Sequence, residues 1–151
     1  MFRGVNSLNL DVKGRMAMPT RYRQHLSDVC AGQMVITVDN ADRCLLLYPL
    51  HEWEVVERKL QKLPSFNKQA RRLQRLLIGH ATEVEMDGSG RLLVPPPLRE
   101  FADLEKRVVL IGQSNKFELW GEELWNQRRS EWLAEDDELG DLPEEMETMS
   151  L

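Results

Sequence analysis

Apolar residues recur along this chain in two rhythms, a period of two that marks strands and a period near 3.6 that marks helices. Val5 to Asp11 and Arg15 to Met18 read as short strands on either side of Val12-Lys13-Gly14. Gly14 offers the positive φ that a tight hairpin needs, and Asp11 can accept backbone N–H bonds across the turn. Pro19 suits the first position of a short helix over Thr20 to Leu26, because the N–H it lacks would be unpaired there. Met34 to Val38 and Cys44 to Tyr48 predict a second hairpin about Asp39-Asn40-Ala41-Asp42, ended by Pro49. Trp53, Val56, Leu60 and Leu63 are spaced for one face of a helix that stops at Pro64-Ser65. Asn67 can cap a further helix, with Ala70, Leu73 and Leu77 on one face and Lys68, Arg71, Arg72 and Arg75 on another.

The same order then returns. Strands over Glu83 to Asp87 and Arg91 to Val94 are followed by a Pro95-Pro96-Pro97 entry to a short helix. Strands at Val108 to Ile111 and Phe117 to Trp120 precede a helix from Glu122 to about Leu133. In places the return is literal: Asp11-Val12-Lys13-Gly14-Arg15-Met16-Ala17-Met18-Pro19 reappears 76 residues later as Asp87-Gly88-Ser89-Gly90-Arg91-Leu92-Leu93-Val94-Pro95. Arg23 answers Arg99 at the same spacing. Arg43-Cys44-Leu45-Leu46-Leu47-Tyr48 with Trp53 then matches Lys116-Phe117-Glu118-Leu119-Trp120 with Trp125 at a spacing of 72. The first copy therefore holds four extra residues, expected in a loop around Val29 to Met34. Two copies make a tandem half-domain protein, not a solenoid. A half of roughly 70 residues would have a marginal core, so the copies should pack as one unit about a pseudo-two-fold axis. Their short antiparallel strands should form two small sheets closing into a barrel-like core, a β-rich α+β fold.

Composition narrows the class. Apolar content of 42% and charged content of 30% are those of a globular protein. No apolar run approaches the ~20 residues that span a bilayer, and the start Met1-Phe2-Arg3-Gly4-Val5-Asn6 lacks the apolar core of a secretory signal. Cys30 and Cys44 have no metal-ligand spacing, and two lone thiols fit a reduced cytosolic interior. The net charge of −5 conceals an asymmetry: residues 1–80 carry 13 bases against 7 acids, and residues 81–151 carry 7 against 18. Glu131 to Leu151 hold nine acids and no base, the composition of a disordered acidic tail. Such a split is a hint of a polyanion partner, while a merely solubilising tail is the plainer explanation.

The chemistry of catalysis is hard to assemble from these residues. His25, His51 and His80 stand apart, and no phosphate loop, nucleophile elbow or zinc spacing occurs. The carboxylates cluster in the tail, where nothing would desolvate and tune them. The expectation is a protein that is not an enzyme, with no catalytic residues, metal or cofactor. The repeated Asp-x-x-Gly-Arg unit is the candidate site, and it has two readings. Asp11 with Arg15, and Asp87 with Arg91, can pair across their turns and fix them, with Gly14 and Gly90 supplying the bend. An exposed pair of this kind contributes little stability, which is weak reason to have it twice. Alternatively the turn projects a guanidinium toward phosphates and base edges, for which the planar fork of arginine is suited. The first unit lies among Arg3, Lys13, Arg21 and Arg23, whereas the second has Gly88 and Ser89 in place of Val12 and Lys13. The first is the better candidate for DNA contact. The Lys68/Arg71/Arg72/Arg75 stripe is either a second phosphate strip or a solvated helix face, and Trp120, Trp125 and Trp132 have core or interface spacing.

Two Asp-x-x-Gly-Arg units followed by proline, in a chain of this length opening Met-Phe-Arg-Gly, resemble the MraZ family of bacterial transcriptional regulators, which carry two SpoVT-AbrB-like domains. The resemblance covers Met1 to about Trp132. It implies a pseudo-two-fold double swapped-hairpin (AbrB-like) barrel with peripheral helices. The chain then divides into a first half at 5–52, connecting helices at 53–80, a second half at 81–124, a C-terminal helix at 125–134 and an acidic tail at 135–151. It also implies a homo-oligomeric ring on double-stranded promoter DNA, binding short tandem repeats ahead of a division and cell-wall gene cluster that includes its own gene. No membrane and no small-molecule substrate is implied, and the setting is cytoplasmic and nucleoid-associated. The resemblance carries the contact role to Arg15 and Arg91, more firmly to Arg15, and the charge around the first unit adds Lys13, Arg3 and Arg21 as candidates. A ring-forming scaffold and an antitoxin-like module, whose partner-binding tail would need apolar anchors such as Leu139, Leu142 and Met146, are the rival classes.

Overall fold

The computed structural model describes residues 1–135 and Met149, so the tail expected at 135–151, with Leu139, Leu142 and Met146, lies almost wholly outside the described residues. The first repeat comprises strands β1 (Phe2–Asn9) and β2 (Arg15–Ala17), helix α1 (Thr20–Cys30), strands β3 (Gln33–Val38) and β4 (Leu45–Pro49) and helix α2 (Leu50–Gln61). A connecting helix α3 (Lys68–Leu73) runs directly into a π-helical turn, Gln74–Ile78. The second repeat then supplies β5 (Thr82–Glu85), β6 (Arg91–Leu93), α4 (Pro96–Phe101), β7 (Arg107–Ser114), β8 (Phe117–Gly121) and α5 (Glu122–Ala134). The class is α+β and strand-rich, as the alternation predicts.

The strands pair across the repeats more than within them. One antiparallel sheet has the order β1-β7-β8-β4-β3-β5, and β2 pairs with β6 in a separate two-stranded ribbon. Replacing each strand by its repeat partner returns the same order reversed, so the pseudo-two-fold axis passes between β4 and β8 and between β2 and β6. The first strand of each repeat adds to the other repeat's sheet: Val5 lies opposite Ile111 in one pairing, and Val84 opposite Met34 in the other. Ribbon and sheet meet at two hairpin corners, where the Asp11 N–H donates to the Arg15 carbonyl and the Asp87 N–H to that of Arg91, both at 2.9 Å.

Alternation along each strand sorts the apolar residues onto two faces. Met34, Ile36 and Val38 of β3, Leu45 and Leu47 of β4, Val108 and Leu110 of β7, and Phe117 and Leu119 of β8 point inward. They meet Met16, Met18, Leu92 and Val94 from the ribbon segments and Leu26 and Leu98 from α1 and α4. The opposite face of the sheet is covered by helices. Trp53 and Leu60 of α2 pack on Val35, Leu46 and Tyr48, while Leu124 and Trp125 of α5 pack on Val109, Ile111 and Trp120. Trp120, Trp125 and Trp132 join in an edge-to-face trio with centroids 5.7–5.8 Å apart. The ribbon and the α2/α5 layer therefore lie on opposite sides of the sheet.

Several local expectations shift. The extra residues of the first repeat do not form a loop: α1 continues for another turn to Cys30. It stops at Ala31 (φ 53°) and Gly32 (φ 74°), where the Gly32 N–H reaches back to the Leu26 carbonyl at 3.1 Å. Pro19 is the residue before the first helical turn, not its first member. Asn67 does cap α3, its side chain accepting from the N–H groups of Gln69 and Ala70. Beyond Leu73 the expected α-helix widens into the π turn, and the Leu77 carbonyl accepts the fully buried Thr37 hydroxyl at 2.6 Å. A buried hydroxyl without an acceptor is costly, and the altered turn supplies one.

Phe117 is fully buried against Phe2 and Tyr22 of the other repeat, with ring centroids at 4.3 and 5.1 Å. Phe117→Ala is expected to destabilise the fold by about 3–5 kcal/mol in urea unfolding, with one transition for both repeats. Two separate transitions would contradict the interlocked core.

Candidate nucleic-acid interface

The two Asp-x-x-Gly-Arg turns close in the same way. Asp11 Oδ1 accepts the N–H groups of Lys13 and Arg15 at 3.0 and 2.8 Å, and Oδ2 accepts Arg15 Nε–H at 2.7 Å. Asp87 repeats the pattern with Ser89, Arg91 and Arg91 Nε–H at 2.9, 2.9 and 3.0 Å. Gly14 and Gly90 sit at φ 85° and 78°, the left-handed region where a side chain is strained. Each carboxylate thus organises backbone and guanidinium together. Nε is held by Asp in each turn, and the two terminal nitrogens of Arg15 and of Arg91 have no hydrogen-bond partner among the described residues, on side chains that are 27% and 37% exposed.

Antiparallel pairing sets Arg15 opposite Leu93 and Ala17 opposite Arg91. Met16 and Leu92 between them are buried, so by the period of two both arginines stand on the outer face of one ribbon. Leu93 shares that face at 49% exposure, and Val12 at the tip of the first turn is fully exposed.

Arg23, expected beside the first turn, lies instead against the second, and its echo Arg99 lies against the first. Arg99 Nε–H donates to the Val94 carbonyl at 2.9 Å and its guanidinium covers Gly14, where an added Cβ would come within 2.5 Å of Cζ. Arg23 Nε–H donates to Met18 at 2.7 Å and covers Gly90, where a Cβ would meet its Nε at 2.4 Å. Backbone bonds match: Val94 N–H to Gly14 at 3.0 Å, and Met18 N–H to Gly90 at 2.8 Å. Each turn is therefore composite, with one arginine from each repeat. The echo of Arg23 at Arg99 was the available signal, but its destination depends on β2 pairing with β6.

The remaining candidates are elsewhere. Lys13 is exposed in the first turn beside Arg15. Arg3 stands eight positions before Asp11 on β1, about 27 Å away at the rise of an antiparallel strand. Arg21 reaches back to β1, bonding the Asn6 side chain and the Tyr22 hydroxyl, with its guanidinium 4.8 Å from the Tyr22 ring centroid. Tyr22 in turn donates to the Arg3 carbonyl. Arg3 and Arg21 line an open cleft with Phe2 and His25, separate from the ribbon. The structure thus brings together Lys13, Arg15 and Arg91 with Asp11, Gly14, Asp87 and Gly90, and it sets Arg3 and Arg21 apart.

Backbone N–H donation from Arg15 and Arg91 holds the Asp11 and Asp87 carboxyls below their ordinary value of 3.8, with the arginine side chains adding to the effect. A depressed folded value means that the turn's stabilisation is complete above the unfolded pKa and is lost as pH falls through the folded one. Cys44 is wholly buried among apolar groups, which pushes its thiol far up.

A sequence model described as "MraZ protein, putative antitoxin-like" matches residues 1–76 and again 77–140. The transcriptional regulator MraZ of Halorhodospira halophila is 61% identical over 152 residues, covering 100% of both chains. That of Methylococcus capsulatus is 66% identical over 135 residues, covering 89% of this chain and 88% of its own. That of Legionella pneumophila is 57% identical over 152 residues, again covering 100% of both. This chain belongs to the MraZ family, a family of transcriptional regulators and not of enzymes.

Two measurements probe the turns. The carboxyl carbons of Asp11 and Asp87 should titrate with midpoints below 3.8 when followed by NMR, and a midpoint at or above that value would contradict the donor arrangement. Gly14→Ala should destabilise by about 1–3 kcal/mol in urea through left-handed strain and collision with Arg99. Gly88→Ala, where an added Cβ meets nothing within 4 Å, should stay within about 0.5 kcal/mol of the parent.

Proposed function

We propose that the chain is a sequence-specific DNA-binding regulator whose β2–β6 ribbon is the contact surface. The observation that carries this reading is the pair Arg15 and Arg91 on the outer face of the ribbon, each fixed through Nε by its own aspartate, with no partner for the terminal nitrogens among the described residues. A two-stranded ribbon fits the major groove, and a guanidinium fork matches the paired acceptors of guanine or a phosphate. Lys13 adds charge at the first turn, where the second has Ser89, so Arg15 is the principal contact and Arg91 the secondary one. Arg3 and Arg21 enter as phosphate contacts at a distance from the ribbon. Asp11, Gly14, Asp87 and Gly90 hold the turns in shape.

One ribbon has few cations and would hold DNA weakly. We infer that several copies, arranged as a ring on short tandem repeats, make the later contacts intramolecular and raise avidity by about 10²–10⁴. The targets on this reading are the promoter of the chain's own gene and the adjoining division and cell-wall cluster, which it represses from the nucleoid in the cytoplasm. The names of the relatives, all transcriptional regulators, support the general role. The antitoxin-like description of the family favours an alternative partner-binding module, and a purely structural ring-forming scaffold would oligomerise yet ignore promoter DNA.

Gel-shift titration with DNA from upstream of the chain's own gene decides between them. Arg15→Ala should weaken specific binding by about 1–3 kcal/mol per lost paired contact while the melting temperature stays nearly unchanged. With about six phosphates engaged, affinity should drop roughly 10³-fold between 50 and 200 mM salt. Half a helical turn inserted between repeats should abolish tight binding. A flat salt response, or a large loss of stability in Arg15→Ala, would refute the contact role.

A further inference from the structure

The second concentration of positive charge on the molecule lies in the helical hairpin that follows β4. From Arg58 to Thr82 there are seven bases, Arg58, Lys59, Lys62, Lys68, Arg71, Arg72 and Arg75, and no acid. All seven are exposed, and none makes an ion pair among the described residues. Nothing in the fold asks for this. Lys68 with Arg71 and Arg72, and Arg71 with Arg75, are like charges at helical neighbour spacing, and Lys68 also opposes the positive end of the α3 dipole. The stem is anchored by its apolar side on Val35, Leu46 and Tyr48, so the cations are displayed from a fixed platform. Phe66 at its tip is 89% exposed.

We propose that this hairpin is a docking surface for the acidic C-terminal segment of the same chain. Residues 136–151 hold seven acids and no base, matching the seven cations, and Leu139 and Leu142 offer apolar groups to Phe66. Place and reach agree. The segment follows α5, and α5 and α2 cover neighbouring strands on one face of the sheet. Sixteen residues can reach up to about 55 Å, more than the roughly 24 Å breadth of six strands at about 4.8 Å spacing. Tethering supplies an effective concentration in the millimolar range, above that of any second copy in dilute solution. DNA is the competing polyanion, but the hairpin lies on the opposite side of the sheet from the ribbon, so one duplex does not reach both in a single copy. Docking would shield a surface that otherwise takes up nucleic acid without regard to sequence. The inference stands whether or not the ribbon is the specific contact.

Zero-length carbodiimide cross-linking of the full chain, with equal amounts of light and heavy isotope-labelled protein mixed, tests it. Amide bonds should join Lys59, Lys62 or Lys68 to acids between Asp136 and Glu147 within single-label peptides. Absence of these bonds, or bonds joining heavy to light, overturns the proposal. A second measurement uses a random-sequence duplex at 50 mM salt. Full-length protein with Asp136, Asp137, Glu138, Asp141, Glu144, Glu145 and Glu147 replaced by their amides should bind it about tenfold more tightly than the parent. Adding R71E, R72E and R75E should cancel that gain. If the amide replacements change nothing, or if R71E/R72E/R75E weakens the parent as much as the amide variant, DNA or nothing occupies the hairpin and the proposal fails.

Discussion

The Gly14 carbonyl accepts the Val94 N–H, the Gly90 carbonyl accepts the Met18 N–H, and an arginine from the opposite repeat lies over each glycine. This reciprocal exchange is what the rest of the arrangement depends on. It requires two glycines, because a Cβ at either would strike the guanidinium above it and sit at positive φ besides. It requires Arg23 and Arg99 at matched spacing, each anchored by Nε on a carbonyl of its own repeat. The segments it fixes carry Met16, Met18, Leu92 and Val94, which close the core over the inner face of the sheet. Surface turn and buried core are thereby one construction.

The aspartates complete that construction at the outer edge. Each carboxylate accepts two backbone N–H groups and one guanidinium N–H, so the turn's shape and the arginine's direction come from one residue. Pairing with the aspartate and a place on the ribbon's outer face are compatible in this geometry. Holding Nε on the aspartate leaves the terminal nitrogens without a partner among the described residues. A flexible side chain aimed this way loses less freedom on meeting a partner than a free one does.

Much of this was legible in the residues because local chemistry decided it. Asp and Gly at fixed offsets specified the turns, Asn67 specified a cap, and the continuous apolar runs Met34 to Val38 and Cys44 to Tyr48 specified strands. What escaped was decided at long range. That β2 pairs with β6 rather than within its own repeat follows from packing about the axis, and so does the meeting of Arg23 with Gly90. The drop in spacing from 76 to 72 locates the extra residues of the first repeat but not their conformation, and they extend α1 until Ala31-Gly32 ends it. The π turn at Gln74–Ile78 answers a hydroxyl on β3 that no local pattern in the helix reveals. Arg3 and Arg21 looked close to the turn in sequence, but an extended strand carries the first away and the Tyr22 hydroxyl takes up the second.

The strand order reads the same from either end once each strand is replaced by its repeat partner. Two separate chains of one repeat each could build such a sheet only with identical corners, since any alteration would appear in both at once. Covalent fusion removes that restriction. Val12-Lys13 at one corner and Gly88-Ser89 at the other show it already in use, giving the outer surface a head and a tail while the interior keeps its two-fold repetition.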